Sequence, residues 1–325
     1  MPRIFTYIEH RAGVPDDTAA ELAAAAARID GSAAPTAILA GAGPDLAAAA
    51  NALKATHAEI WTIAADALAH PNAELARQAL VAVLPPGSIV LVPHAHFGLD
   101  LAPGLAVKLK AAYIPDVLAI EGLESGSLNV VRQEYGGQVS AHVRGDVSSG
   151  AVVTIRPGAI KPQPGASANG TVVDKSSTVG TLSARRRYLN TVVAEVGEVD
   201  ITKHAVLVSV GRGIQDQDNV KIAEELAQTL GAAVSCSRPV VDAKWLEKSR
   251  QVGSSGKTVK PKVYLACGIS GSFQHLAGLK GSPFIVAINK NPAAPIFQVA
   301  DVGIVDDVLE FLPELTTRVR EIHGA

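Results

Sequence analysis

An alternation restricts the fold more than any other feature of this sequence. Short apolar runs at residues 4–8, 36–39, 60–63 and 89–92 are separated by alanine- and leucine-rich stretches at 16–29, 46–55 and 72–83. The runs have the length and β-branched content of strands, and the stretches have the composition of helices. A helix between two strands carries the chain back along the sheet, so the strands pair in parallel. Pro85-Pro86-Gly87 ends the third helix. After a fourth helical stretch at 99–109 the pattern changes. Residues 130–135, 139–143 and 152–155 read as short strands parted by turns such as Gly136-Gly137. That spacing suits antiparallel ribbons added to a parallel core. The expectation for this half is a mostly parallel α/β sheet with a β-rich tail.

A chain of 325 residues is long for a single core, so two domains are expected. Residues 160–182 carry Pro162, Pro164, Gly165, Gly170 and Gly180 among Ser, Thr and Asn, which is linker composition. This places an N-terminal domain at 1–195, with the linker at about 157–195, and a C-terminal domain at 196–325. The second domain opens on a strand at 205–210, followed by Gly211-Arg212-Gly213-Ile214. Asp216 or Asp218 can cap the next helix, whose Val220, Ala223, Leu226, Ala227 and Leu230 share one face before Gly231 stops it.

A second glycine turn is richer. The run Val263-Tyr264-Leu265-Ala266-Cys267 ends in Gly268-Ile269-Ser270-Gly271-Ser272, and a helix-compatible segment opens at Phe273-Gln274-His275. Free N–H groups at a helix start attract phosphate, and glycine lets it come close. Taken singly, these residues have plainer readings. Ser270 and Gln274 can cap that helix, Arg238 can be a surface ion-pair partner, and His275 can be a structural histidine. Gly256-Lys257-Thr258 looks like the end of a phosphate-binding P-loop, but residue 251 is Gln where that motif requires Gly.

Composition removes several function classes. Hydrophobic content of 48% with 18% charged residues suits a compact protein. A net charge of -2, with no basic cluster interleaved with aromatics, argues against nucleic-acid binding. Arg185-Arg186-Arg187 reads as a solvated face. Cys236 and Cys267 lack metal-ligand spacing and form no disulfide framework, which points to a reducing compartment. Cys267 reads as a small buried hydrophobe, and Trp61 and Trp245 as packing residues. His94 and His96 flank a strand end with no carboxylate or cysteine in view, a poor metal site; no metal is expected. No apolar run is long enough to cross a bilayer and no basic-then-apolar leader opens the chain, so a cytoplasmic protein without direct membrane insertion is expected. No nucleophile–base–orienter set is present and no catalytic residue is assigned.

The longer pattern carries a resemblance. Val263-Tyr264-x-Ala266-x-Gly268-Ile269-Ser270-Gly271-x-x-Gln274-His275-x-Ala277-Gly278 is followed by Ala287-Ile288-Asn289-Lys290 and by Ala294-Pro295-Ile296-Phe297-x-x-Ala300-Asp301-x-Gly303-Ile304-Val305. This closely resembles the FAD-binding region of the electron transfer flavoprotein alpha subunit. In the first half, Asp100-Leu101-Ala102-Pro103 and Val131-Arg132-Gln133-Glu134-Tyr135-Gly136-Gly137 resemble other blocks of the family. Leu99 departs from the basic residue of many bacterial members.

The resemblance implies a C-terminal doubly wound domain that binds FAD. It further implies a heterodimer with a beta subunit, electrons taken from flavin dehydrogenases such as the acyl-CoA dehydrogenases of fatty acid beta-oxidation, and delivery to a quinone oxidoreductase. Carried over residue by residue, Arg212, Ser237 and Arg238 would face the cofactor, and Val252, Gly253, Ser254 and Ser255 would run along the ring and its side chain. Ser270, Gly271, Ser272, Phe273, Gln274 and His275 would bind the pyrophosphate and reach the ring. Asn289, Asp307 and Val308 would hold the adenosine half.

Three of these would tune the flavin: Arg238 by its permanent charge, Ser255 by a hydroxyl bond to N5, and His275 by a hydrogen bond near O2. Ser255 stands where many members carry threonine. A charge at ~4 Å in an effective dielectric of about 20 contributes roughly 4 kcal/mol before desolvation. Within the family the alternative is a bifurcating, NADH-using complex with a second FAD. Outside it, the alternative is a redox-inactive nucleotide-binding scaffold.

Overall fold

A computed structural model describes residues 2–31, 35–135, 139–162, 169–191, 199–281 and 283–323. The chain falls into two compact units, Met1–Asn190 and Thr191–Ala325.

The first unit runs β1 (Ile4–Tyr7), a small hairpin of β2 (His10–Arg11) and β3 (Val14–Pro15), α1 (Thr18–Ile29), β4 (Thr36–Gly41), α2 (Gly43–Leu53) and β5 (Glu59–Ala64). It continues with α3 (Ala73–Val83), β6 (Ile89–Pro93), α4 (His96–Leu109), β7 (Ala112–Glu124), β8 (Ser127–Glu134), β9 (Val139–Asp146), β10 (Ala151–Ile155) and β11 (Thr171–Asp174). Its large sheet has the order β11-β5-β4-β1-β6-β10-β7-β8-β9. From β11 to β7 every pairing is parallel, and β8 and β9 are added antiparallel.

Strands β1, β6 and β10 are buried along their whole length because helices cover both faces. Ile4, Leu39 and Ile89 pack with α1 and α2, while Phe5, Ile38 and Val90 pack with α3 and α4. Asn72 caps α3, its Oδ1 accepting from the N–H groups of Glu74 and Leu75.

Two expectations for this unit fail and one strand goes unread, each for an identifiable reason. Residues 152–155 do not join an antiparallel ribbon. They form β10, inserted in parallel between β6 and β7, and the unbroken apolar run Ala151-Val152-Val153 is the mark of a strand buried on both faces. The 13-residue β7 is hidden in the sequence by Pro115 and Asp116. A bulge absorbs them: Ile155 pairs with Val117, and the N–H of Asp116 leaves the ladder for Thr154 Oγ1 at 2.9 Å. Part of the expected linker, Thr171–Asp174, is an edge strand paired with β5, and Ser176 Oγ accepts from the N–H of Ala64 at 2.8 Å. Pro164, Gly165, the Gly136-Gly137 turn and residue 196, the expected domain start, lie outside the described residues.

The second unit runs β12 (Val206–Val210), α5 (Val220–Thr229), β13 (Ala233–Cys236), α6 (Arg238–Asp242), β14 (Val263–Cys267), α7 (Phe273–Leu276), β15 (Phe284–Ile288), β16 (Val302–Ile304) and α8 (Val308–His323). The sheet order is β13-β12-β14-β15-β16 and all pairings are parallel. This is the doubly wound order of a nucleotide-binding sheet. On one face Val208, Val210, Cys236 and Cys267 pack with the apolar sides of α5 and α8. On the other, Leu207, Tyr264 and Ala266 pack with Val252, Val259, Ile269 and Ile296. Both cysteines are buried, which pushes their thiols up to about 12.

Helix α5 starts one residue later than the aspartates suggest. Asn219 holds the N-cap position, and Asp216 accepts instead from the N–H of Asp218 at 3.1 Å. Gly231, at φ +62°, ends it as expected. Helix α8 runs through Pro313 to His323. An internal proline costs about 3 kcal/mol. Burial of Val308, Leu312 and Thr316, with an Arg320–Glu225 ion pair at 2.7 Å to α5, opposes that cost. Among the described residues no helix is long and apolar enough to cross a membrane.

Candidate cofactor-binding site

In an all-parallel sheet every strand delivers its carboxyl end to the same edge. In the second unit that edge receives Gly211-Arg212-Gly213 after β12 and Ser237-Arg238 after β13. It also receives the turn from Gly268 to Ser272 after β14, Asn289 after β15, and Asp307-Val308 ahead of α8. The crossover direction reverses between β12 and β14, because the chain leaves β12 for β13 on one side and returns to β14 on the other. Such a reversal opens a crevice at the strand ends.

Glycines set the depth of this crevice. A Cβ on Gly211 would lie 2.3 Å from the Gly268 carbonyl oxygen, and one on Gly213 would lie 2.6 Å from Gly268 Cα. The N–H groups of Gly211 and Gly213 donate to the carbonyls of Cys267 and Gly268 at 2.8 and 3.0 Å. Gly268 itself has φ +66°. The two turns interlock backbone to backbone, and no side chain fits between them.

The loop at 252–255 is tied to both sides of the edge. The N–H of Val252 donates to Cys236 O at 2.9 Å, and the N–H of Ser254 donates to Gln274 O at 2.7 Å. Gly253, at φ +137°, passes so close to α7 that a Cβ would sit 2.8 Å from Gln274 O. Ser254, Ser255, Ser270, Ser272 and Gln274 are exposed, and Phe273 is 44% exposed. Ser272 holds the N-cap position of α7 without a side-chain cap, so neither Ser270 nor Gln274 is used for capping. The hydroxyl of Ser255 accepts from Gln251 Nε2 at 2.8 Å and keeps its own proton to donate.

Charge enters through two guanidiniums. Arg212 is exposed and has no ion pair among the described residues. Arg238 stands at the start of α6 with its Nε 3.4 Å from Asp242, both side chains mostly solvated. Ser237 is nearly buried at the head of that helix.

The far side of the edge is more tightly engaged. Asn289 donates to Ile269 O at 2.9 Å and accepts from the N–H of Asn291 at 2.9 Å. Asp307 pairs with Lys290 at 2.5 Å and caps α8 through the N–H of Leu309 at 3.0 Å. The Lys290 and Leu309 hydrogen bonds hold its carboxyl below the usual carboxylate range. Val308 is buried as the first residue of α8.

His275 is enclosed within the second unit. It is only 4% exposed, and its Nε2 lies 2.7 Å from the hydroxyl of Tyr264. Burial lowers its pKa to about 4, with the Val252 carbonyl opposing, so the ring is neutral at physiological pH. Its influence on a ligand is therefore that of an oriented neutral dipole. Sequence reasoning missed the residues that hold the predicted ones: Gln251 behind Ser255, Lys290 beside Asp307 and Tyr264 behind His275. Tyr264 leaves one trace in the sequence, being the single hydroxyl-bearing residue of an otherwise apolar strand.

In the first unit, His94 has the carboxylate neighbour that the sequence concealed. Its Nδ1 lies 2.8 Å from Thr154 Oγ1 and its Nε2 3.7 Å from Asp116, which Arg156 clamps through two bonds of 2.8 and 2.6 Å. Among the described residues no group of three or more His, Cys, Asp or Glu is placed to hold a metal ion.

An edge with open backbone at interlocked glycines, exposed hydroxyls and two exposed guanidiniums fits an anionic dinucleotide carrying a polar ring. Comparison with known proteins agrees with this geometry. The family described as "Electron transfer flavoprotein domain" matches residues 4–179, and "Electron transfer flavoprotein FAD-binding domain" matches residues 200–280. The electron transfer flavoprotein subunit alpha of Methylophilus methylotrophus is 42% identical over 250 residues, covering 76% of each chain. The mitochondrial subunit alpha of Oryza sativa subsp. indica is 36% identical over 291 residues, covering 87% of this chain and 80% of its own. Protein FixB of Clostridium saccharobutylicum is 37% identical over 238 residues, covering 73% and 71%.

Proposed function

The chain belongs to the electron transfer flavoprotein alpha subunit family, and from that premise we propose that it is the FAD-holding half of a heterodimeric electron carrier. Its partner is an electron transfer flavoprotein beta subunit. Electrons come from flavin dehydrogenases, acyl-CoA dehydrogenases among them, and leave to a quinone oxidoreductase. The reading places the protein in the cytoplasm.

The observation that carries this reading is the exposed donor set on the carboxyl edge of the second sheet. Bound FAD supplies reversible one-electron chemistry; the chain supplies grip and electrostatics. The turn at Ser270, Gly271, Ser272, Phe273 and Gln274 offers backbone N–H groups and hydroxyls to the pyrophosphate. Arg212, Ser237 and Arg238 face the ring side, with Val252, Gly253, Ser254 and Ser255 along it. Asn289, Asp307 and Val308 take the adenosine half. For Asp307 this means sharing a carboxylate already bound to Lys290 and Leu309. Arg238 favours negative charge on the ring, and Ser255 keeps a hydroxyl proton to offer. His275 acts as a fixed neutral dipole rather than a cation.

Co-expression with the beta subunit, followed by a count of released flavin and by reduction with an acyl-CoA dehydrogenase and its substrate, tests the reading. One FAD per heterodimer, reduced by the dehydrogenase, is expected. Two FADs with NADH oxidation would replace it with the bifurcating reading, and a colourless heterodimer that takes up no FAD with the scaffold reading.

A further inference from the structure

Behind His275 lies a buried polar cluster that the proposed cofactor contacts do not use. Tyr264 is fully buried in β14, facing α7. Ser209 on β12 and Ser235 on β13 pair in register and are also fully buried, and among the described residues neither hydroxyl has a hydrogen bond of good geometry. Burial pushes the Tyr264 phenol far up, while Ser209 and Ser235 sit close enough to pull the other way. The phenol therefore keeps its proton.

One assignment of protons satisfies both ends of this cluster. The serine hydroxyls can donate to the phenolic oxygen, and the phenol must then give its own proton to an acceptor. Nε2 of His275, at 2.7 Å, is that acceptor. The other end of the ring agrees. His275 Nδ1 is buried with no hydrogen bond of good geometry; since Nε2 is engaged by Tyr264, Nδ1 is the ring nitrogen left for the Val252 backbone, whose effect on the ring is that of an accepting carbonyl. A neutral imidazole with its proton on Nδ1 satisfies both ends. The opposite tautomer would set lone pair against lone pair at Val252 and turn the phenol proton back onto a serine oxygen.

Val252 opens the loop whose Ser254 N–H is bound to Gln274, the residue next to His275. From this geometry, and resting on the reading of a flavin site above, we infer that Tyr264 is a positioning residue for the cofactor. Its hydroxyl donates to Nε2, fixes His275 as the Nδ1–H tautomer and turns that N–H toward the loop at 252–255. The dipole that His275 presents to the site is thus set by a residue on the far side of the ring.

The test uses the FAD-loaded heterodimer with 15N-labelled histidine, the His275 resonances being identified by their loss in His275→Gln. In the native protein Nδ1 is expected to show the protonated shift and Nε2 the unprotonated one. Tyr264→Phe preserves the ring. It is expected to keep FAD bound, to bring the two nitrogen shifts together as the tautomers mix, and to change the equilibrium constant for the first flavin reduction by about tenfold. A native His275 carrying its proton on Nε2, or on both nitrogens, overturns the inference. So does a Tyr264→Phe protein whose shifts and potential are unchanged. Should that variant fail to fold, the native tautomer decides alone. A heterodimer without flavin whose His275 still carries its proton on Nδ1 would sink the functional reading and leave the tautomer standing.

Discussion

Arg238 decides how much of the site's electrostatics survives in solution. Its pairing with Asp242 is an exposed i,i+4 contact on a one-turn helix, a kind worth about 0–1 kcal/mol, so most of its charge remains available to a ligand. Arg238→Ala is expected to lower the first reduction potential of bound FAD by tens of millivolts while FAD stays bound, the charge contributing of order 1 kcal/mol at the ring. Redox titration of the heterodimer measures it, and an unchanged potential would remove Arg238 from the tuning role. A second residue makes a prediction in the other unit. Burial, reinforced by the nearby Asp16 charge, raises Glu9 to about 7 from 4.5. Its contribution to stability is intact below about pH 4.5 and is lost as pH rises through 7, because only the unfolded chain ionises freely in that window. Glu9→Gln should therefore raise the melting temperature at pH 8 and do much less at pH 5; equal gains at both would refute the shift. The sequence exposed the residues of the glycine turns because spacing and residue type travel together there. It hid Gln251, Lys290 and Tyr264, because a partner across space leaves no periodicity.

At the scale of elements, the interlocked turns after β12 and β14 make the strongest structural demand in the second unit. Gly268→Ala would place an alanine at φ +66° with its Cβ 2.7 Å from Gly213 Cα. Gly87 offers a matched control, since it has φ +74° and a methyl group there would meet nothing within 4 Å. Gly87→Ala should cost about 1 kcal/mol, the left-handed penalty alone. Gly268→Ala should cost about 2–4 kcal/mol and weaken FAD retention, because the backbone must also part. Denaturant melts of the two variants compare them directly, and equal losses would show that the turns are not interlocked. The same scale shows what a sequence can yield. Strands β1, β4, β5 and β6 and helices α1 to α4 were legible, since each has one clear period and a breaker at its end. Strand β10 was legible as a strand but not in its place, since parallel insertion between β6 and β7 depends on what covers its faces. Strand β11 was hidden by polar composition, which an edge strand tolerates as readily as a linker does.

Each unit of the whole molecule carries its own acid-sensitive group. His57, 1% exposed, lies in the first, with Thr56 Oγ1 2.9 Å from Nδ1 and Thr6 Oγ1 3.4 Å from Nε2. His275 lies in the second. Burial lowers both to about 4 from 6.5. A histidine buried neutral gives stability that is fully present above about pH 6.5 and is lost as pH falls through 4, because the unfolded chain takes up the proton first. A shift of that size corresponds to at most about 3 kcal/mol per histidine. Calorimetry between pH 7.5 and 5 should show the second unit losing stability as the pH falls, while in the first unit the loss at His57 opposes the gain at Glu9. His57→Gln should make the first unit gain stability as the pH falls, with Glu9 unopposed, and leave the second unit's dependence unchanged, whereas His275→Gln should flatten the second unit's dependence and leave the first. The slope is the quantity to compare, since either substitution also removes packing at every pH. If one variant changed both slopes, the units would be unfolding as one; if neither changed its own, burial would not be holding these rings neutral.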